Sequence, residues 1–287
     1  MAGVDVLKKA GNICRAIRVE LPKRVVPGTT LIEVAELIES RIRDGGALPA
    51  FPVNISIDDV AAHFTPKPRS DKKFEEGQIV KIDFGAHIDG WPVDNAMTID
   101  LGEHDELKAA ANEGLAAGTE VLLNRGPKAT LSDIGKAIES AILARGFSPI
   151  VNLTGHKIDR WLLHGGFSIY NYDSGSKKEI GEGIFALEPF ATTGSGRVKS
   201  GPASEIYRLV KPKRQRLPGP RAVLSEVTKF KTLPFCSRWV SKPEYLRLLS
   251  RDGSLHNYPL LVEVSGGIVS QAENTFLVKE GKVEQLT

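Results

Sequence analysis

The sequence predicts an α+β fold, and three observations carry that expectation. Apolar residues recur at helical spacing near the start of the chain and again after residue 105. Strand-like stretches follow each helical region, which divides the chain into two halves of similar order. One pair, Asp89-Gly90, joins two long apolar runs as a two-residue hairpin turn. At 287 residues the chain suits one large domain with a generous core.

The elements follow in order. Val6, Leu7, Ala10, Ile13, Cys14 and Ile17 form an apolar stripe that predicts a first helix. A second is expected to start at Thr30, with Glu33 completing a capping box, and to stop at Gly45-Gly46. Strands are expected at 51–58 and 79–101, then helices over about 105–124 and 130–145. Strand signals dominate the remainder, at 149–154, 184–192, 260–264 and 267–278. No internal repeat stands out.

The interval 204–255 interrupts this series. It holds twelve Lys or Arg against four Asp or Glu, a net of +8 in a chain of only +3. Short helical signals start near Pro220-Arg221 and at Ser241, where Glu244 would complete a second box. The expected organisation is a domain built from 1–203 and 256–287, with 204–255 as a basic helical insertion. A basic run of this kind is more often a solvated face than a contact surface.

Cys14 and Cys236, the only two cysteines, are too few for a disulfide framework or a thiolate metal site. No run of eighteen apolar residues and no signal-peptide pattern is present, so a cytoplasmic protein without membrane contact is expected.

The hairpin brings two carboxylates together. A turn at Asp89-Gly90 pairs Ile88 with Trp91, hence Gly85 with Asp94 and Asp83 with Ala96. Opposed residues share a face, so Asp83 and Asp94 become diagonal neighbours roughly 7 Å apart. Unpaired, they would repel until one protonated; a bound cation removes that penalty. Gly85, with no side chain, is expected to leave space for ions. Glu188 and Glu273 stand in apolar strands, where a carboxylate is costly unless paired or coordinated. His156 follows Asn152-Leu-Thr-Gly155, read as a strand end where glycine permits close backbone approach.

These motifs, Lys81-Ile-Asp-Phe-Gly85 through Asp94, Asn152 to His156, Leu163-His164-Gly-Gly, Ala186-Leu-Glu188-Pro-Phe and Ser270-Gln-Ala-Glu273, resemble the methionine aminopeptidases in register over nearly the whole chain. The two aspartates keep the family's spacing of eleven. Asn95 stands where Thr or Cys is usual, and Asn274 where His often follows the last glutamate. The insertion resembles that of the type II, archaeal-style branch.

The resemblance implies the pseudo-two-fold pita-bread fold and removal of the initiator methionine from nascent chains with a small second residue. It implies two divalent ions, of Co, Mn, Fe(II) or Zn, that activate water and polarise the scissile amide. Asp94 and Glu273 would bridge them, Asp83 would bind one ion, and His156 with Glu188 the other. Glu188 is expected to act in catalysis as well. His164 would hydrogen-bond the scissile amide and stabilise developing charge, and His63 would line the substrate pocket. His87 shares the strand face of Asp83 and is a candidate for a place beside the site; His104 and His256 have no such support. The expected enzyme is a monomer that meets nascent N-termini, with a possible ribosome contact through the basic insertion. Alternatives are a prolidase or aminopeptidase P, which usually carry a separate N-terminal domain, or a non-catalytic relative, which typically loses ligands.

Overall fold

A computed structural model describes residues 2–287. Helix α1 (Ala2–Glu20) turns its predicted stripe inward, with Leu7, Ala10, Cys14 and Ile17 buried. Helix α2 (Leu31–Asp44) begins as expected. The Thr30 hydroxyl accepts from Glu33 N at 3.3 Å, and the Glu33 carboxylate accepts from Thr30 N at 2.9 Å. Such a cap contributes about 1 kcal/mol.

The short strands β1 (Asn54–Ile57) and β2 (Val60–Ala62) lead to the hairpin of β3 (Ile79–Ile88) and β4 (Trp91–Asp100). Its register is the predicted one: Ile88 opposite Trp91, Gly85 opposite Asp94, Asp83 opposite Ala96. Asp89 and Gly90 hold φ of 52° and 81°, as a type I′ turn requires.

The second half repeats the first. Helices α3 (Asp105–Arg125) and α4 (Leu131–Ala144) match α1 and α2, and Thr130 caps α4 with Asp133 as Thr30 does α2 with Glu33. Thr30 bridges to Lys73, and Thr130 to Glu179. At an offset of 100 positions, Leu31, Ile38 and Ile42 correspond to Leu131, Ile138 and Ile142, all buried. The absence of an internal repeat is therefore corrected: the two helix pairs are sequence-related.

Strands β5 (Thr154–Asp159), β6 (Leu162–Tyr170), β7 (Gly183–Leu187) and β8 (Phe190–Thr192) follow. The strand signal at 149–154 is misplaced. Asn152 leaves the ladder to bond Val198, donating to its carbonyl at 2.7 Å and accepting from its N–H at 2.9 Å. His156 thus lies inside β5, held between β6 and β7, and not past a strand end.

Strand β9 (Val198–Leu209) enters the basic interval, and β10 (Leu255–Glu263) pairs with it on return. Between them lie α5 (Pro218–Val227) and α6 (Leu246–Arg251). Ser241 does not cap a helix. Its N–H and hydroxyl both donate to Glu226 of α5, at 3.1 and 2.8 Å, and α6 starts only at Leu246. A buried ion pair ties this segment to α2: the Arg238 guanidinium grips both oxygens of Glu39, and the Trp239 indole donates to the same carboxylate at 2.8 Å. Burial pushes the Glu39 carboxyl up, against the pull of Arg238.

The chain closes through β11 (Val269–Gln271) and β12 (Glu273–Lys279). The central antiparallel sheet runs from the short strand at Leu48–Pro49 through β3, β4, β12, β7, β5 and β6, with β1 beside β3. One core packs α1 and α2 against β3, and a second packs α3 and α4 against β7 and β12. A separate four-stranded sheet, containing β9, β10 and β2, faces the cavity described next. Among the described residues, no helix is long and apolar enough to cross a membrane.

Candidate metal centre

Strand pairing assembles the centre. Asp83, Ala96 and Glu273 stand opposite one another across β3, β4 and β12. His156 opposes Ala186, which opposes Thr275. Alternation along each strand then sets Asp94, two before Ala96, and Glu188, two beyond Ala186, on the same face. All five predicted ligands line one cavity of about 300 Å³, to which no helix contributes a residue. His63 and His164 line it too.

The small residues between the ligands have packing roles. Gly85 does not hold space for ions: a Cβ there would meet Val93 O at 2.4 Å and the Phe51 ring at 2.6 Å. The glycine admits Phe51, which becomes part of the cavity wall. Gly155 behaves as expected, since a Cβ would meet Ala186 O at 2.4 Å.

His156 Nε2 lies 3.6 Å from Asp94 Oδ2 and 3.6 Å from Glu188 Oε1. Ligand atoms of Asp94, His156 and Glu273 fall within 4.8 Å of one another. Asp83 Oδ1, Asp94 Oδ1 and Glu273 Oε1 are buried without a hydrogen-bond partner. Buried carboxylate oxygens rarely go unpaired, so this arrangement suits cations. Oxygen donors with one imidazole match hard to borderline divalent ions. Burial pushes Asp83, Glu188 and Glu273 well above the carboxylate range, and the charge of Asp94 pushes each further. Asp94 itself is pushed up to about 7, chiefly by burial. His156 is held down at about 4 by burial, so it is neutral and ready to ligate.

Groups outside the predicted set fix the ligands. Thr275 Oγ1 accepts from Asp94 N and donates to Asp94 O, both at 2.7 Å, and Thr287 Oγ1 donates to Asp94 O at 3.1 Å. Arg18 reaches from α1 to Asn274 Oδ1 at 2.6 Å and to Glu273 O at 3.4 Å. No local sequence signal marks Arg18, Thr275 or Thr287; they meet the site only through the tertiary fold.

The His164 ring lies 4.3 Å from that of His156, edge to face. It is open to the cavity yet crowded by protein, and burial followed by the neighbouring His156 pushes its pKa well down. His63 takes a left-handed φ of 69°. Its Nδ1 lies 3.0 Å from Pro259 O, which assigns the proton to Nδ1 and leaves Nε2 for the cavity. His87 is not beside the site. It accepts from Gly90 N at 3.2 Å, packs edge-on against Trp161, and lines a different cavity with Glu39 and Trp239. Gly85, the position between them on that face, is covered by Phe51 and Ala50.

A pH dependence follows. The folded pKa of Asp94, about 7, stands above its ordinary 3.8, so its contribution to stability without ions is full below 3.8 and lost as pH rises through about 7. Ions need that proton gone. Their stabilisation is therefore expected to grow as pH rises through about 7, with His156 neutral throughout. Thermal melts with and without Mn(II) at about pH 5.5 and about pH 7.5 check this; an equal gain in Tm at both would refute it.

The profile of "Metallopeptidase family M24" matches residues 5–280. The methionine aminopeptidase of Archaeoglobus fulgidus is 47% identical over 281 residues, covering 96% of each chain. That of Pyrococcus horikoshii is 44% identical over 295 residues, covering 99% of each. In structure, a thermophilic Arx1 superposes with a TM-score of 0.83 at 19% identity, over 100% of this chain and 90% of that one. The methionine aminopeptidase of Thermotoga maritima gives 0.71 at 24% identity, over 100% and 96%. These structural likenesses establish the fold, curled antiparallel sheet flanked by two helix pairs, as the pita-bread one. The chain belongs to metallopeptidase family M24 and, within it, to the methionine aminopeptidases.

Proposed function

We propose that this chain removes N-terminal methionine from peptides and nascent proteins whose second residue is small. The observation that carries the reading is the convergence of four carboxylates and one imidazole, buried or half-buried and partly without partners, at one cavity also lined by two histidines. Asp83, Asp94, His156, Glu188 and Glu273 would hold the ions, Asp94 and Glu273 being the carboxylates that could be shared between them. Two divalent ions, of Mn, Fe(II), Co or Zn, supply Lewis acidity here, making water nucleophilic at neutral pH and polarising the amide carbonyl.

The remaining steps belong to the chain itself. Phe51, Phe190, Ile206 and Leu261 give the cavity an apolar wall for the methionine side chain. The Glu188 carboxyl, pushed up by burial, takes a proton from the attacking water and returns it to the leaving amine. His164 donates toward the amide as charge develops, and His63 Nε2 faces the bound backbone.

The test is hydrolysis of Met-Ala-Ser and of Gly-Pro by protein reconstituted with each metal. Met-Ala-Ser is expected to be cleaved. Cleavage of Gly-Pro alone would move the assignment to the prolidases. A non-catalytic relative is disfavoured because all five ligand positions are filled.

The enzyme is proposed to be cytoplasmic and monomeric; its two thiols are buried and pushed up to about 12, hence inert. Ile206 and Pro234 show that the basic interval walls the cavity. Its exposed run Lys211, Lys213, Arg214 and Arg216 is proposed to contact the anionic ribosome where nascent chains emerge. Replacing these four by serine is expected to weaken co-sedimentation with ribosomes at low salt and to spare tripeptide cleavage. Equal pelleting of both proteins would leave only the pocket-wall role.

A further inference from the structure

A second, smaller cavity of about 170 Å³ adjoins the metal-centre cavity and shares Leu163, His164, Pro234 and Tyr258 with it. Its outer rim is formed by exposed residues, Leu162 at 44% and Thr232. It is thus one opening from His164 to solvent. One charged side chain lines it: Arg208, half-buried on β9 opposite His256 of β10.

Among the described residues, no carboxylate oxygen lies within 4.0 Å of the Arg208 guanidinium. The contrast is Arg238, whose guanidinium is fully engaged by Glu39. Arg208 instead engages the Tyr258 hydroxyl, beside it in the same cavity wall, and its charge also acts on His164 and His256. A planar, permanently charged fork beside a catalytic wall, with no carboxylate of its own, is suited to a carboxylate from outside.

The direction of the bound chain supplies that carboxylate. With the first residue against the apolar wall and the scissile amide between the metal ligands and His164, the residues beyond it leave past His164 and Tyr258. We infer that Arg208 is a subsite residue that binds a substrate carboxylate just beyond the scissile bond, either an Asp or Glu side chain at the third position or the terminal carboxylate of a tripeptide. This rests on the aminopeptidase reading and adds a sequence preference to it.

Two matched pairs test it and separate the two sources: Met-Ala-Asp-amide against Met-Ala-Asn-amide, and Met-Ala-Gly against its amide. For wild type, KM is expected to be about tenfold lower for the carboxylate member of a pair, the worth of one charge-assisted hydrogen bond. The kcat values within a pair should agree, because the contact forms equally in ground and transition states. In R208Q the KM ratio should fall to about one, and R208K should recover part of it. Metal content measured alongside shows whether each variant is folded. A preference confined to one pair assigns the subsite to that source. Equal KM within both pairs for wild type overturns the inference, and so does a preference that survives R208Q. Failure of wild type to cleave any of the four peptides would instead overturn the aminopeptidase reading, and this inference with it.

Discussion

Replacing Asp94 or Glu273 by alanine is expected to abolish peptide hydrolysis and to reduce bound metal, because each carboxylate is proposed to serve both ions. Both side chains are almost completely buried, and each leaves one oxygen without a protein partner. Truncation should affect the two states of the protein differently. Without ions, removing one carboxylate relieves repulsion among groups whose charges already push one another's pKa up, so the apo melting temperature should change little. With ions, the stabilisation from ligand binding is lost, about 2.7 kcal/mol at a hundredfold excess over Kd. His156→Ala should weaken chiefly one ion. Calorimetric titration decides the matter: an unchanged metal stoichiometry in Asp94→Ala would sink the bridging assignment.

Local chemistry made the hairpin legible. Asp89-Gly90 admits few backbone conformations, and once that turn is fixed, counting places Asp83 and Asp94 on one face. The capping box at Thr30 is equally local. The same box at Thr130 and the matching run of buried residues 100 positions on were also readable, and they are the sequence trace of the two-fold arrangement. What failed was chemistry completed from a distance. Asn152 had strand-like neighbours but bonds Val198, and Ser241 had cap-like spacing but is taken by Glu226. Gly85 reads as space for ions, although that space belongs to Phe51, a residue 34 positions away in sequence. His87 shares a strand face with Asp83, but Phe51 and Ala50 cover Gly85 between them and His87 lines another cavity. Arg18, Thr275 and Thr287 carry no motif at all. Their contacts with the ligand strands exist only after α1 and the last residues pack against β4 and β12.

His164→Ala should leave metal content intact, lower kcat by about 10² to 10³, and move KM little, the pattern expected when an interaction is made mainly in the transition state. The geometry separates this histidine from the ligands. His156 Nε2 is the imidazole nitrogen that faces Asp94 and Glu188, whereas His164 stacks edge-on behind it at 4.3 Å between ring centres. His164 is also the histidine that lines both the metal cavity and the smaller cavity beside it. Crowding and the adjacent His156 push its pKa down, which keeps the ring neutral at working pH. A neutral imidazole donates one N–H without repelling the cations beside it. Glutamine at this position retains an N–H donor and should recover part of the lost rate, while alanine should not. Metal analysis with single-turnover rates distinguishes the possibilities. Loss of metal from His164→Ala would make His164 the coordinating imidazole in place of His156.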